Sequence, residues 1–215
     1  MNAGPSAIRN LAPDRFFRHT VRDMEPQGLI FDFDGTLADT MPLHWQAWEI
    51  IARRHGFNLT RERLYSLGGV PSRDIIKMLA AEQGRTVDHL AIAREKELAF
   101  LDRLPEVKVI PEVVHIAHSH FERLPMAVAT GGTHRVIEQL MEHLHLRRLF
   151  RAVVTSEDVV NQKPAPDIFL EAARRIGVPP ERCRAYEDTD LGMRAIRAAG
   201  MQAVDVRDLL AGRAE

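Results

Sequence analysis

The chain of 215 residues has little of what several classes of protein require. It has one cysteine, Cys183, which excludes an intrachain disulfide and a zinc site built from several thiolates. No apolar run approaches the roughly 18 residues of a transmembrane helix. The 29 Lys and Arg nearly cancel the 30 Asp and Glu, which argues against a nucleic-acid-binding surface and a polybasic membrane anchor. We therefore expect a globular cytoplasmic protein, monomeric or weakly dimeric, with neither nucleic acid nor membrane as a partner.

The first 26 residues differ from those that follow. They contain scattered Gly and Pro and no sustained hydrophobic period. We predict a loosely ordered or surface-packed extension. A targeting signal is the less favoured alternative, because the segment contains Asp14, Asp23 and Glu25 and has no apolar stretch.

From Gln27 onward, short apolar runs alternate with longer helical patterns. This alternation predicts an α/β fold with a parallel sheet. The predicted strands cover residues 29–33, 125–130, 152–154, 183–186 and 201–206. The predicted helices between them cover residues 133–145, 166–176 and 191–199.

Residues 41–108 interrupt this alternation, because they contain helical patterns only. Those patterns cover residues 43–55, 60–67, 73–82 and 87–104. The segment follows the first strand, so it is expected to lie over the edge of the sheet where ligands bind in open α/β folds. A lid over the site is the favoured interpretation, and a helical domain without a function of its own is the alternative.

Acidic residues follow two of the predicted strands. Asp32 and Asp34 come at the end of the first strand, and Glu187 and Asp188 follow another. Carboxylates this close repel one another unless a cation neutralises them, and no Arg or Lys lies nearby in the sequence. A ligand set made only of oxygen atoms favours a hard ion, so the sequence predicts a Mg²⁺ site.

Two further segments are suited to binding an anion. Thr130, Gly131 and Gly132 lie between a predicted strand and a helix, where a hydroxyl and backbone N–H groups can meet a phosphate. Lys163 lies in a proline-rich turn before another helix. A metal, a lysine and a hydroxyl around a carboxylate together predict a phosphoryl-transfer site.

In this order, the segments Asp32-Phe33-Asp34-Gly35-Thr36-Leu37, Thr130, Lys163 and Glu187-Asp188 resemble the four motifs of the haloacid dehalogenase-like hydrolases. The resemblance covers residues 29–209 and is nearest to the β-phosphoglucomutase-like and fructose-1-phosphate phosphatase-like branch. Further matches are Asp39-Thr40, His44, and the residues 69–74, 163–167 and 195–201. The resemblance implies a Rossmann-like parallel-sheet core, residues 27–40 and 109–215, with a small α-helical cap inserted after the first strand, residues 41–108.

The resemblance also implies roles for the motif residues. Asp32 would be the nucleophile that forms an aspartyl-phosphate, and Asp34 the general acid and base, which must then hold a proton more readily than Asp32. Mg²⁺ would be held by the Asp32 side chain, the Asp34 backbone carbonyl and Asp188, with Glu187 nearby. The transferring phosphoryl group would be held by Thr130 and Gly131, with Lys163 keeping Asp32 ionised.

In the predicted cap, His44, Arg73 and Lys96 match substrate-side residues of the mutases, and Thr40 would lie at the hinge. His44 is expected to bond Asp34, and Arg73 to grip a second phosphate or a sugar hydroxyl. Lys96 is equally compatible with a solvated helix face. The leading interpretation is a Mg²⁺-dependent phosphatase acting on small sugar phosphates. The alternatives are a sugar phosphomutase with the same residues, and a binding module that has lost the chemistry.

Overall fold

The computed structural model describes residues 25–211, and within that range the chain forms a five-stranded parallel sheet. The strands lie in the order β3-β2-β1-β4-β5, with β1 at the centre. They are β1 (Gly28–Phe31), β2 (Met126–Ala129), β3 (Ala152–Val154), β4 (Cys183–Glu187) and β5 (Gln202–Asp205). The predicted extension, residues 1–26, lies almost wholly outside the described residues.

Nine α-helices accompany the sheet within the described range. They are α1 (Met41–His55), α2 (Arg61–Ser66), α3 (Ser72–Glu82), α4 (His89–Leu101), α5 (Pro111–His120), α6 (His134–His143), α7 (Asp167–Ile176), α8 (Asp190–Ala198) and α9 (Val206–Ala211). None of these helices is both long and apolar enough to cross a membrane.

Helices cover both faces of the sheet, which explains why its central strand is apolar at every position. Leu29 and Phe31 of β1 point to one face, where they share a cluster with buried residues of α5, α6 and α9. Ile30 points to the other face and packs in a cluster with residues of α7 and α8. This alternation follows from the two-residue period of a strand.

Helices α1 to α4, which we call the four-helix segment, have a hydrophobic cluster of their own. Its largest members include Trp48, Ile51, Ile76 and Leu79. The chain enters and leaves this segment at adjacent points, because the Asp39 N–H donates to the Lys108 carbonyl at 2.9 Å. The boundaries 41–108 predicted for a cap enclose the four-helix segment and stay a prediction.

Most differences from the predicted elements are small shifts at their ends. The first strand ends at Phe31 rather than Phe33, because the chain turns at Asp32 to Gly35. The last predicted cap helix ends at Leu101, and a short 3₁₀ turn, Leu104–Glu106, follows it. Helices α5 and α9 were not predicted. The first fills the connection before β2, and the second begins directly after β5.

Candidate active site

The carboxyl ends of three neighbouring strands bring the motif residues together. Asp32 follows β1, Thr130 follows β2 and Glu187 ends β4. The Asp32 N–H continues the sheet ladder by donating to the Tyr186 carbonyl at 3.0 Å. The strands are parallel, so the side chains that follow them meet at one edge of the sheet.

Lys163 binds two carboxylates in the interior. Its Nζ lies 2.5 Å from Oδ1 of Asp32 and 2.8 Å from Oε2 of Glu187, and all three side chains are buried. Burial alone would lower the pKa of Lys163, but Asp32 and Glu187 raise it above its ordinary value. The lysine is therefore a fixed positive charge beside Asp32.

Glu187 positions its surroundings as well as contributing charge. Its Oε1 accepts hydrogen bonds from the N–H of Asp188 at 3.1 Å, the N–H of Thr189 at 2.9 Å and the Thr189 hydroxyl at 2.8 Å. Its approach requires a glycine in α8, because a Cβ at Gly192 would overlap the Glu187 carboxylate. Thr189 and Gly192 were not among the predicted site residues, because nothing at their positions signals a contact with Glu187.

Asp32, Glu187 and Asp188 form a compact acidic cluster, each offering an oxygen within 4.8 Å of the others. Thr36, a buried residue of the first motif for which no role was predicted, donates to Oδ1 of Asp188 at 2.9 Å. Burial, followed by the charge of Glu187, raises the pKa of Asp32 well above its ordinary value and that of Asp188 to about 7. One lysine does not compensate three carboxylates, so the cluster has the donor chemistry and charge of a hard-cation site.

Asp34 has a different environment from Asp32, although only one residue separates them. Its Oδ1 accepts from the Thr40 hydroxyl at 2.7 Å and contacts His44 Nε2 at 3.1 Å, and the Thr130 hydroxyl lies 3.4 Å from Oδ2. Burial alone would raise the pKa of Asp34, but the interactions with His44 and Thr40 lower it to about 2.

The pKa values of Asp32 and Asp34 therefore stand in the order opposite to the predicted one. The sequence prediction requires Asp34 to hold a proton more readily than Asp32, whereas in the protein alone the pKa of Asp32 is the raised one. The reason is that Asp32 lies among other carboxylates while Asp34 has hydrogen-bond donors around it. A cation at the acidic cluster would stabilise the charged form of Asp32 and move the order towards the predicted one.

His44 lies between Asp34 and Lys96. Lys96 Nζ is 2.8 Å from His44 Nδ1, so Nδ1 accepts and Nε2–H faces Asp34. The Phe100 ring stacks on the imidazole with ring centroids 4.0 Å apart. Burial lowers the pKa of Lys96 to about 8, and burial and Lys96 lower that of His44. Lys96 is 4% exposed, which rules out the solvated helix face that its sequence context also allowed.

Arg73 does not face the same cavity as His44 and Lys96. Its Nη2 donates to the Ser156 carbonyl at 3.1 Å, joining α3 to the loop that follows β3. A second contact between the four-helix segment and the sheet edge brings the Gly69 carbonyl against Gly131, where a Cβ would overlap it. In this structure Arg73 links the two parts of the chain, and its expected grip on a substrate stays a prediction.

A cavity lies between the sheet edge and the four-helix segment. Asp32, Asp34, Gly131 and Gly132 line it on one side. His44, Trp48, Lys96 and Phe100 are among the residues that line it on the other. This arrangement places the Asp32 carboxylate, a second carboxylate with a hydrogen-bonded histidine, and the Gly131-Gly132 backbone around one space, as an enzyme active site requires.

The sequence matches the profile of the haloacid dehalogenase-like hydrolase family over residues 29–206. The chain therefore belongs to this family, as the motif resemblance predicted. Membership of this family and the 42% identity to a phosphatase confirm the prediction that the protein is an enzyme, a hydrolase of the phosphatase type.

Among its relatives, fructose-1-phosphate phosphatase YqaB of Escherichia coli (strain K12) is 42% identical over 84% of this chain and 96% of its own length. β-Phosphoglucomutase of Bacillus subtilis (strain 168) is 26% identical over 84% of this chain and 83% of its own. The crystal structure of CbbY from Rhodobacter sphaeroides in complex with phosphate superposes with a TM-score of 0.74 at 28% identity, covering 83% of this chain and 84% of that one.

Proposed function

We propose that the protein is a Mg²⁺-dependent phosphatase that hydrolyses small sugar phosphates through an aspartyl-phosphate on Asp32. The observation that carries the proposal is the buried Asp32 carboxylate, held by Lys163 at 2.5 Å beside Glu187 and Asp188. A carboxylate fixed in this way has one oxygen bound to the lysine and a second available to attack phosphorus. The substrate class follows from YqaB, whose name describes it as a phosphatase of fructose 1-phosphate.

In the first half-reaction, the Asp32 carboxylate attacks phosphorus and the bond from phosphorus to the sugar oxygen breaks. Asp34 donates a proton to the leaving oxygen, which requires the substrate complex to hold its carboxyl protonated although its pKa is about 2 in the protein alone. Thr40 and His44 fix the orientation of Asp34 through its Oδ1. The Thr130 hydroxyl and the Gly131 N–H bind the phosphoryl oxygens, because both lie at the start of the loop that follows β2.

In the second half-reaction, Asp34 is a carboxylate and accepts a proton from a water molecule. This water attacks the phosphorus of the aspartyl-phosphate, and the bond from phosphorus to the Asp32 oxygen breaks, which releases inorganic phosphate and regenerates Asp32. Lys163 stabilises the Asp32 carboxylate as leaving group. His44 keeps its bond with Asp34 throughout, and Lys96 fixes the tautomer of His44 through Nδ1.

The residues that would hold Mg²⁺ are Asp32 and Asp188 through their carboxylates and Asp34 through its backbone carbonyl, with Glu187 beside them. The donors are all oxygen atoms, which is the ligand chemistry that Mg²⁺ prefers. Bound there, the ion would supply positive charge for the phosphoryl oxygens. The Thr36 hydroxyl keeps Asp188 oriented through its hydrogen bond to Oδ1.

The four-helix segment would act as the cap, with its hinge at Thr40. This residue follows the connection that bonds to Lys108 and lies at the N-terminus of α1. We further propose that the enzyme acts in the cytoplasm as a monomer or weak dimer on a small phosphorylated metabolite.

A sugar phosphomutase is the second candidate, and the 26% identity to β-phosphoglucomutase favours it. A mutase would use the same residues but pass the phosphoryl group from Asp32 back to the sugar intermediate. The two functions differ in whether water reaches the aspartyl-phosphate before the intermediate returns.

A panel of sugar phosphates, including fructose 1-phosphate and β-glucose 1-phosphate, distinguishes these functions when assayed with Mg²⁺ and with chelator. Release of inorganic phosphate supports the phosphatase, and glucose 6-phosphate formed without phosphate release supports the mutase. Asp32→Asn is expected to lower turnover of an aryl phosphate at least about a thousandfold, since a carboxamide is no nucleophile. Activity that survives this change would show that Asp32 is not the nucleophile. Absence of Mg²⁺-dependent turnover on every substrate would contradict both functions.

A further inference from the structure

The charged side chains that line the active-site cavity are three carboxylates, Asp32, Asp34 and Glu97, and one cation, Lys96. Near the aspartates, Lys96 bonds to His44, and it is the one Lys or Arg among the described residues that line this cavity. Glu97, the next residue of α4, lines the same cavity and also lines a second, neighbouring one. The second cavity reaches none of Asp32, Asp34 or His44, so Glu97 lies where the active-site cavity adjoins this second space.

Two arginines lie beyond Glu97. Arg73 and Arg94 line the second cavity together with Glu157, and neither arginine lines the active-site cavity. Ser72, Glu97 and Thr133 line both spaces and so separate them. A dianionic group carried by a substrate bound at Asp32 would therefore meet the Glu97 carboxylate before it reached either arginine.

The remaining wall of the active-site cavity suits an uncharged group. Trp48, Leu67, Val70 and Phe100 line it with apolar surface. The CH faces of a sugar can pack on such a surface, and a carboxylate at its end can accept hydrogen bonds from sugar hydroxyls. The same carboxylate repels a second phosphate in a partly buried space, where charges are weakly screened.

We propose that Glu97 is a specificity-determining residue that selects sugar monophosphates, whose leaving group is uncharged, against sugar bisphosphates. The inference rests on the proposed phosphatase function and names the substrate class within it. It also bears on the mutase alternative. Transfer of the phosphoryl group from Asp32 to a sugar monophosphate would create a bisphosphate, which the Glu97 carboxylate would repel. The aspartyl-phosphate would then react with water instead.

The test compares fructose 1-phosphate with fructose 1,6-bisphosphate, which differ only in the second phosphate, through kcat/KM for release of the 1-phosphate. Wild-type enzyme is expected to prefer the monophosphate by at least about tenfold, a ratio that one unscreened charge interaction readily supplies. Glu97→Gln keeps the side-chain shape and is expected to shrink this preference about tenfold. Glu97→Lys reverses the charge and is expected to shift it further in the same direction.

Glu95→Gln is the matched control. It removes the same charge from the same helix, but its carboxylate binds Arg54 at 3.0 Å and His55 at 3.1 Å and lines neither cavity. This variant is expected to keep the wild-type preference within about twofold, because the removed charge lies away from the cavity.

The inference would be overturned if the wild type had equal kcat/KM for the two sugars. It would also be overturned if wild type, Glu97→Gln and Glu97→Lys all had the same preference. Either result would leave the phosphatase function standing. An equal loss of preference in Glu95→Gln would also overturn the inference, because the effect would then be a general consequence of charge. If the wild type hydrolyses no sugar phosphate at all, the proposed function fails first and the inference fails with it.

Discussion

Replacing Lys163 by Met removes the one ammonium group that the structure places on Asp32 and Glu187. In the wild type, its Nζ lies 2.5 Å from Asp32 and 2.8 Å from Glu187, and both carboxylates are buried. Met fills a similar volume without charge. The variant therefore leaves three carboxylates within 4.8 Å of one another, and no hydrogen bond or ion pair of residues 25–211 then brings a positive side chain to Asp32 or Glu187.

Breaking a buried ion pair in this way typically costs about 3–5 kcal/mol in the free energy of unfolding. For a chain of this size, each kcal/mol corresponds to about 2–4 °C in Tm, so we expect a loss of roughly 10 °C. The loss is expected to depend on pH. Burial and Glu187 already raise the pKa of Asp32, and removal of the ammonium raises it further. A carboxyl whose pKa is higher in the folded than in the unfolded state makes the folded protein less stable as pH rises above the pKa of the unfolded state. The loss of Tm in Lys163→Met is therefore expected to be larger at pH 8 than at pH 5.

The assay is thermal unfolding of Lys163→Met and wild type at pH 5 and pH 8, in the presence of chelator. Lys77→Met is the control, because Lys77 is an exposed lysine of α3, and its Tm is expected to stay within about 2 °C of wild type. The measurement needs no substrate, so it tests the electrostatics of the site separately from the activity. A Tm loss in Lys163→Met below about 3 °C, equal at both pH values, would refute the reasoning.

Two other predictions concern the four-helix segment. Lys96 has a pKa of about 8, and only its protonated form places a positive charge and an obligate donor at His44 Nδ1. Wild-type kcat/KM is therefore expected to fall as pH rises through about 8. In Lys96→Met this fall is expected to be absent at a lower overall activity, and an unchanged pH profile would contradict the role of Lys96. Gly131→Ala places a Cβ where it would overlap the Gly69 carbonyl. The four-helix segment can then no longer close on the sheet edge, so kcat/KM is expected to drop by about a hundredfold. Wild-type kinetics in this variant would show that the contact is not needed.

The sequence predicted the sheet and the residues at its edge, because parallel strands force whatever follows them to one place. Asp32, Thr130 and Glu187 needed only that rule and their residue types, whereas Lys163 lies in a long loop after β3 and was placed by its match to the family motif. The contact of His44 with Asp34 was also predicted, from the resemblance of His44 to a substrate-side residue of the mutases and its place ten residues beyond Asp34.

Other features depend on how distant parts of the chain pack. The bond from Arg73 to the Ser156 carbonyl joins residues 83 positions apart, and no local pattern indicates it. The position of Glu97 between two cavities follows from the rotation of α4 about its axis, which a helix that alternates charged residues does not reveal. Helix α5 was readable from Pro111 at its first position and from its apolar residues at 113, 114 and 117, whereas α9 has only six residues.

The hydrogen bond between Asp39 and Lys108 has a consequence for how such a protein changes over evolutionary time. The two ends of the four-helix segment lie side by side, so its removal or exchange would leave the order and the connections of the strands unchanged. The residues proposed for the covalent chemistry lie in the loops that follow the strands, outside the four-helix segment, and those proposed to select the sugar belong to the exchangeable segment. One reaction can therefore be redirected to new substrates by replacing a module instead of rebuilding an enzyme.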